Sequence, residues 1–212
     1  MTLFYRTIRG AFRVFFKVYG RCEVIGKDRI PKTGPVILVS NHSSYLDPPL
    51  LGGMIDRECA FLGRHDLWDH KWLGFIISRL NTYPVNRDNP GKSVFRYADD
   101  ALGKGLVFGL FPEGGRSDDG KLMRGEMGVA HIVKRSGAPV VPAALVGPQI
   151  MLPVGASRLK RTKLIVEYGD PLFFSPDTRR EEIVHTIMSR IAALMTKNGL
   201  PTVAVEDQEA AT

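Results

Sequence analysis

His42 and Asp47 bracket Asn41-His42-Ser43-Ser44-Tyr45-Leu46-Asp47. A turn between them lets the carboxylate hold one imidazole nitrogen while the other stays free to take a proton. That chemistry needs a turn, because residues five apart on a helix lie about 140° apart around its axis. The flanking residues supply one. Pro35-Val36-Ile37-Leu38-Val39-Ser40 is short, apolar and β-branched, as in a buried strand. Asp47-Pro48 then opens a helix, with a capping carboxylate and a proline at the first helical position. Asp before Pro is also an ordinary helix start with no chemistry in it.

A second constellation follows another apolar run. Leu106-Val107-Phe108-Gly109-Leu110-Phe111 leads into Pro112-Glu113-Gly114-Gly115-Arg116-Ser117. Proline ends the strand, and the paired glycines allow a tight turn with exposed N–H groups. Arg116 beside such donors suits a phosphate, which takes bidentate hydrogen bonds from a guanidinium. Arg87, after Thr82-Tyr83-Pro84-Val85-Asn86, offers a second guanidinium. Loops leaving the carboxyl ends of parallel strands line one crevice, so all three can meet.

The elements that must position them alternate. Strands are predicted at Cys22–Ile25, Val36–Ser40, Ala60–Leu62, Tyr83–Asn86, Leu106–Phe111, Val140–Val146 and Lys163–Tyr168. Helices are predicted at Pro48–Asp56, Leu67–Leu80, Lys92–Leu102, Gly125–Ser136 and Arg179–Asn198. This is an α/β pattern: a single domain with a mixed, largely parallel sheet flanked by helices. A chain of 212 residues, 44% hydrophobic and 24% charged, is the right size for one well-buried core. Residues 1–21 read as a separate amphipathic helix, 22–200 as the body, and 201–212 as a small, acidic tail expected to fray. Cys22 and Cys59 stand in no metal spacing, so neither a zinc site nor a disulfide framework is expected. A rival metal set of His42, Asp47, His65, Asp66, Asp69 and His70 lacks the i, i+4 histidine spacing of a metal-binding helix face.

A net charge of +7 calls for an anionic partner: nucleic acid, anionic lipid or a phosphorylated substrate. Arg6, Arg9, Arg13, Lys17 and Arg21 recur along one side of the first helix, while Phe4, Tyr5, Ile8, Phe12, Phe15 and Phe16 fill the opposite arc. The cations interrupt any membrane span, and no uninterrupted apolar stretch forms a signal peptide. An in-plane helix is expected instead, with Arg6, Arg9, Phe12, Arg13, Phe16 and Lys17 docking on anionic lipid at the cytoplasmic face of a membrane. The other reading is a surface helix packed on the core. No helix-turn-helix, zinc finger or ribonucleoprotein signature accompanies the charge, so no nucleic acid is expected.

Asn41-His42-x4-Asp47, Arg87 after its strand, Phe111-Pro112-Glu113-Gly114-Gly115-Arg116-Ser117 and Val141-Pro142 resemble the four ordered blocks of the glycerolipid acyltransferases, the 1-acylglycerol-3-phosphate O-acyltransferase family. The resemblance runs from about Val24 to Val146. It implies transfer of a fatty acyl group from an acyl-CoA or acyl-carrier-protein thioester to a hydroxyl of 1-acylglycerol 3-phosphate, making phosphatidic acid. Glycerol 3-phosphate and other lysophospholipids are alternative acceptors. The thioester is a co-substrate, and neither cofactor nor metal is implied. His42 is then the base, Asp47 its orienting acid, and Glu113-Gly114-Gly115-Arg116 the acceptor-phosphate loop. Arg87 joins Arg116 on the phosphate, Glu113 braces an Arg or touches a glycerol hydroxyl, and Asn41 and Arg64 are further candidate contacts. Gly115 stands where the family usually has Thr, and Arg64 near where a Lys is common. The absence of a G-x-S-x-G elbow, and of an activating neighbour beside either cysteine, favours direct attack without an acyl-enzyme. Backbone N–H groups of the His42 turn are candidate oxyanion donors. A lipid-binding module without catalysis is the non-enzyme alternative.

Overall fold

Every residue of Val36–Ser40 is buried, as a strand covered on both faces must be, and the sheet is built outward from it. The computed structural model describes residues 1–86 and 92–200. Arg87 and the tail at 201–212 lie outside the described residues. In chain order the elements are α1 (Leu3–Val18), β1 (Glu23–Ile25), β2 (Val36–Ser40), α2 (Asp47–Gly53), β3 (Cys59–Arg64), α3 (Lys71–Arg79) and β4 (Thr82–Val85). They continue with α4 (Ser93–Gly103), β5 (Val107–Leu110), α5 (Gly128–Ser136), β6 (Val140–Val146), α6 (Pro148–Met151), β7 (Ile165–Tyr168) and α7 (Arg180–Lys197).

Among the described residues the strands form one sheet in the order β1-β7-β6-β2-β5-β3-β4. Every pairing is parallel except β6 with β7. All seven expected strands are present, and β2 and β6 have the expected bounds. The helix expected over Leu67–Leu80 is instead a 3-10 turn at His65–Trp68 followed by α3. The break lets Trp68 fold back, its Nε1 donating to Ser78 Oγ at 2.8 Å and its ring lying against Gly74. Alternate residues of β2 serve opposite layers. Ile37 and Val39 join the core with Ile183 and Ile187 of α7, while Val36 and Leu38 join Phe16, Leu50 and Leu51 beneath α1 and α2. β2 pairs with β5 on one side and β6 on the other, so the chain leaves it in both directions and a crevice opens at its carboxyl end.

The packing of α1 corrects the expected docking face. Its aromatic arc turns inward: Phe16 is fully buried, Phe12 packs on the same core, and the hydroxyl of buried Tyr5 accepts the Cys59 N–H at 2.9 Å. Arg13 Nε donates to Gly53 O at 2.6 Å and its Nη2 to Ile55 O and Asp56, while Arg9 donates to Ile55 O at 3.3 Å. Those carbonyls lie at the end of α2, where helix carbonyls lack intrahelical partners and cations are favoured. Arg9, Phe12, Arg13 and Phe16 are therefore committed to the fold. Of the six expected docking residues only Arg6 and Lys17 are exposed, and the outward side of α1 instead presents Leu3, Val14 and Val18. Among the described residues no helix is long and apolar enough to cross a membrane.

Candidate active site

Where β2 ends, Asp47 reaches back over the turn. Its Oδ2 lies 2.8 Å from His42 Nδ1 and accepts the N–H groups of Ser43 at 2.6 Å and Ser44 at 2.7 Å. The carboxylate is not a helix cap, as the sequence suggested; Leu46 occupies that position and Asp47 is already inside α2. Two N–H groups pin an ionised oxygen, so Nδ1 is the donor in the third bond, and neutral His42 then carries its free lone pair on Nε2. Among the described residues Nε2 has no hydrogen-bond partner. The imidazole stacks on Phe111 with ring centroids 4.0 Å apart, and its side chain keeps 10% of its surface open to the cleft. Asn41 does not face that cleft as a substrate contact: its amide bridges Leu145 N–H at 2.8 Å and Leu145 O at 3.0 Å, joining β2 to β6.

The second loop is tied to the first through backbone. Gly114, at φ +67°, takes a left-handed turn that an L side chain resists. This aims Glu113 inward, where Oε1 accepts the His42 N–H at 2.6 Å and Oε2 accepts the Met123 N–H at 2.8 Å. Ser117 N–H donates to His42 O at 2.8 Å. Both oxygens of Glu113 are thus occupied by main chain, and the residue braces His42 rather than an arginine. The N–H groups of His42, Ser43 and Ser44 are all taken, which removes them as oxyanion donors. Gly115 is less constrained, since a Cβ there would meet only Met123 Cε, at an ordinary van der Waals distance of 3.8 Å.

Burial pushes the Glu113 carboxyl up to about 7, against the pull of its two N–H donors. An acid whose pKa is raised on folding adds stability below its unfolded value and loses it as pH climbs through its folded value, here over about 4.5 to 7. The full effect is about 3 kcal/mol. Wild type should therefore lose stability relative to Glu113→Gln across that window, measured by urea denaturation at stepped pH. A difference that grows in favour of wild type as pH rises would overturn the assignment.

Arg116 sits over the Tyr45 ring, its Cζ 3.6 Å from the centroid, and its buried Nη1 has no hydrogen-bond partner among the described residues. Two cavities meet at His42, Pro48, Leu62 and Arg64. One, of about 570 Å³, runs between α1 and α3 past Ile8, Phe12, Leu73 and Ile76, with Tyr45 and Arg116 in its wall. The other, of about 740 Å³, extends past Phe95, Phe111, Gly114 and Val129. Arg64 borders both and pairs with Asp66.

Residues 21–146, which contain both loops, match a family model described as Acyltransferase. The chain belongs to the acyltransferase family. It is 31% identical to a 1-acyl-sn-glycerol-3-phosphate acyltransferase from Bacillus subtilis (strain 168), over 79% of this chain and 82% of that protein. It is 29% identical to the chloroplastic 1-acyl-sn-glycerol-3-phosphate acyltransferase BAT2 of Brassica napus over 71% of this chain, but spans only 42% of that longer protein. The crystal structure of the 1-acyl-sn-glycerophosphate (LPA) acyltransferase PlsC from Thermotoga maritima superimposes with a TM-score of 0.81 at 25% identity, covering 94% of this chain and 81% of that one.

The acyltransferase brings His42, Asp47, Glu113, Arg116 and Arg64 to one end of the sheet. The rival metal donors do not gather: among the described residues no three His, Cys, Asp or Glu side chains form a group that could hold an ion. Cys22 and Cys59 are unpaired, and burial pushes their thiols up to about 11 and about 12, far from a reactive thiolate. Sequence reasoning passed over Tyr45 and Phe111 as site residues. Tyr45 occupies an unspecified position of the first motif, and the aromatic character of both was the available signal.

Proposed function

We propose that this acyltransferase moves a fatty acyl group from an acyl-CoA or acyl-carrier-protein thioester to the free hydroxyl of 1-acylglycerol 3-phosphate, giving phosphatidic acid, with His42 as general base. The observation that carries this reading is a carboxylate-backed imidazole lining an apolar cavity whose wall also holds a guanidinium with an uncommitted nitrogen. The acyl chain lies in the cavity between α1 and α3, and Arg116 and Arg87 hold the acceptor phosphate. His42 Nε2 takes the hydroxyl proton as the oxygen bonds to the thioester carbonyl carbon. The tetrahedral intermediate then collapses, the C–S bond breaks, and the imidazolium returns the proton to the departing thiolate. Asp47 stays ionised throughout and stabilises the imidazolium. His42 handles every proton, so the scheme invokes no resident cofactor.

The test supplies labelled oleoyl-CoA and oleoyl-carrier protein with 1-acylglycerol 3-phosphate, glycerol 3-phosphate and lysophosphatidylcholine. Label should appear in phosphatidic acid. Transfer confined to either of the other acceptors, or none at all, would overturn the reading.

The protein is further proposed to work at an anionic membrane surface, peripherally and from the cytoplasmic side. Leu3, Val14 and Val18 on α1 and Trp72 on α3 are 78%, 63%, 67% and 83% exposed, with Arg6 and Lys17 beside them. Phe4 packs edge-on against Phe75, so these two helices share an edge next to the apolar cavity. Substituting Leu3, Val14 and Trp72 together by glutamate should abolish co-flotation with phosphatidylglycerol vesicles without lowering the melting temperature. Phe16→Ala should instead cost about 3–5 kcal/mol of stability by opening the core. Unchanged flotation of the triple variant would reject the docking face.

A further inference from the structure

We infer that Tyr45 is a positioning residue for the acceptor: its ring is the platform that holds the Arg116 guanidinium ready for the phosphate. The inference deepens the proposed function and rests on Arg116 being a phosphate ligand. Three observations carry it. The guanidinium carbon sits 3.6 Å from the Tyr45 centroid, well inside the range in which a cation is drawn to an aromatic face. Nη1 is buried with no partner among the described residues, so the guanidinium carries a polar group whose hydrogen bonds remain to be made. Tyr45 itself is 50% exposed, and its hydroxyl has no hydrogen-bond partner among the described residues, so core packing does not account for a large ring here.

The loop geometry supplies the reason for the arrangement. An arginine side chain has many rotamers, and freezing it on binding costs affinity. Asp47 fixes the turn that carries Tyr45, because its Oδ2 gathers Ser43 N–H and Ser44 N–H immediately before it. Glu113 and Ser117 tie the arginine's own loop to His42. The stack therefore joins two loops already locked to one another. A cation held over a ring face spends none of its N–H groups on that contact, so they stay available for the phosphate oxygens. The arginine is pre-organised in the wall of the apolar cavity that His42 also lines.

The test is a set of steady-state measurements with oleoyl-CoA and 1-oleoylglycerol 3-phosphate. Tyr45→Leu, which keeps bulk and removes the ring, should raise the acceptor KM about 3- to 10-fold, with kcat and the donor KM within about twofold. Tyr45→Phe should match wild type, and Tyr45→Leu added to Arg116→Ala should cost nothing more in acceptor KM. Equal acceptor KM in Tyr45→Leu and wild type would overturn the inference, as would an equal loss in Tyr45→Phe. A fall in kcat with unchanged KM would do so too. Arg116→Ala separates the two levels. If it leaves the acceptor KM unchanged, the phosphate assignment itself fails; if it raises KM and Tyr45→Leu does not, only the platform fails.

Discussion

His42→Ala should cut acyl transfer by about 10²- to 10⁴-fold, the usual worth of a positioned general base, and leave a folded protein. The fold survives because the groups around the imidazole do not depend on it. Asp47 Oδ2 keeps its bonds from Ser43 and Ser44, and the His42 main chain keeps its bonds to Glu113 and Ser117. What is lost is the stack on Phe111 and one hydrogen bond, a stability change of about 1–2 kcal/mol. Single-turnover assays alongside thermal melts separate these effects. A variant that turns over at more than a tenth of the wild-type rate would remove His42 from the chemistry.

Asp47 should show two quite different phenotypes according to the replacement. Asp47→Ala strips the acceptor from Ser43 N–H, Ser44 N–H and His42 Nδ1 at once, all in a site where Asp47 is fully buried. At about 1–3 kcal/mol per orphaned buried donor, the loss approaches the whole stability of an ordinary domain, and little folded protein should be recovered. Asp47→Asn is gentler. The two N–H groups accept only an oxygen at the Oδ2 position, so the amide must orient with its carbonyl towards His42, and the imidazole keeps its tautomer. The amide nitrogen falls at the Oδ1 position, which has no hydrogen-bond partner, at a cost of about 1–3 kcal/mol in stability. Only the charge opposing the imidazolium disappears, and kcat should fall about 10- to 100-fold. Equal activity losses in a folded Asp47→Asn and in His42→Ala would show that the oxygen is not held as described.

Local chemistry made the strands and the His42 turn legible, because β-branched runs buried on both faces carry their own signal. β2 and β6 coincide with their apolar runs for that reason. The failures share another cause. The sequence of α1 shows that it has an aromatic side, but not what covers that side. The answer lies with the carbonyls ending α2, about 40 residues away, which recruit Arg13. The carboxylate of Asp47 likewise had two local uses, capping its helix or folding back, and the backbone donors that chose between them appear only once the turn exists. The motif around Glu113 suggests a ligand contact because its true partners, the N–H groups of His42 and Met123, have no side-chain signature. The glycine inside β5 likewise has a non-local cause: a Cβ on Gly109 would fall 2.1 Å from the Phe61 ring on the neighbouring strand.

The Asn41 amide, spanning 104 residues to Leu145, has a bearing on how the protein is made. His42 and Asp47 emerge early from the ribosome, yet the strand that must clasp the amide next to them is synthesised only about 100 residues later. Until then the nascent chain carries its reactive pair on an unsupported segment. Polypeptides terminated short of that clasp would lack the bridge that holds the end of β2 against β6.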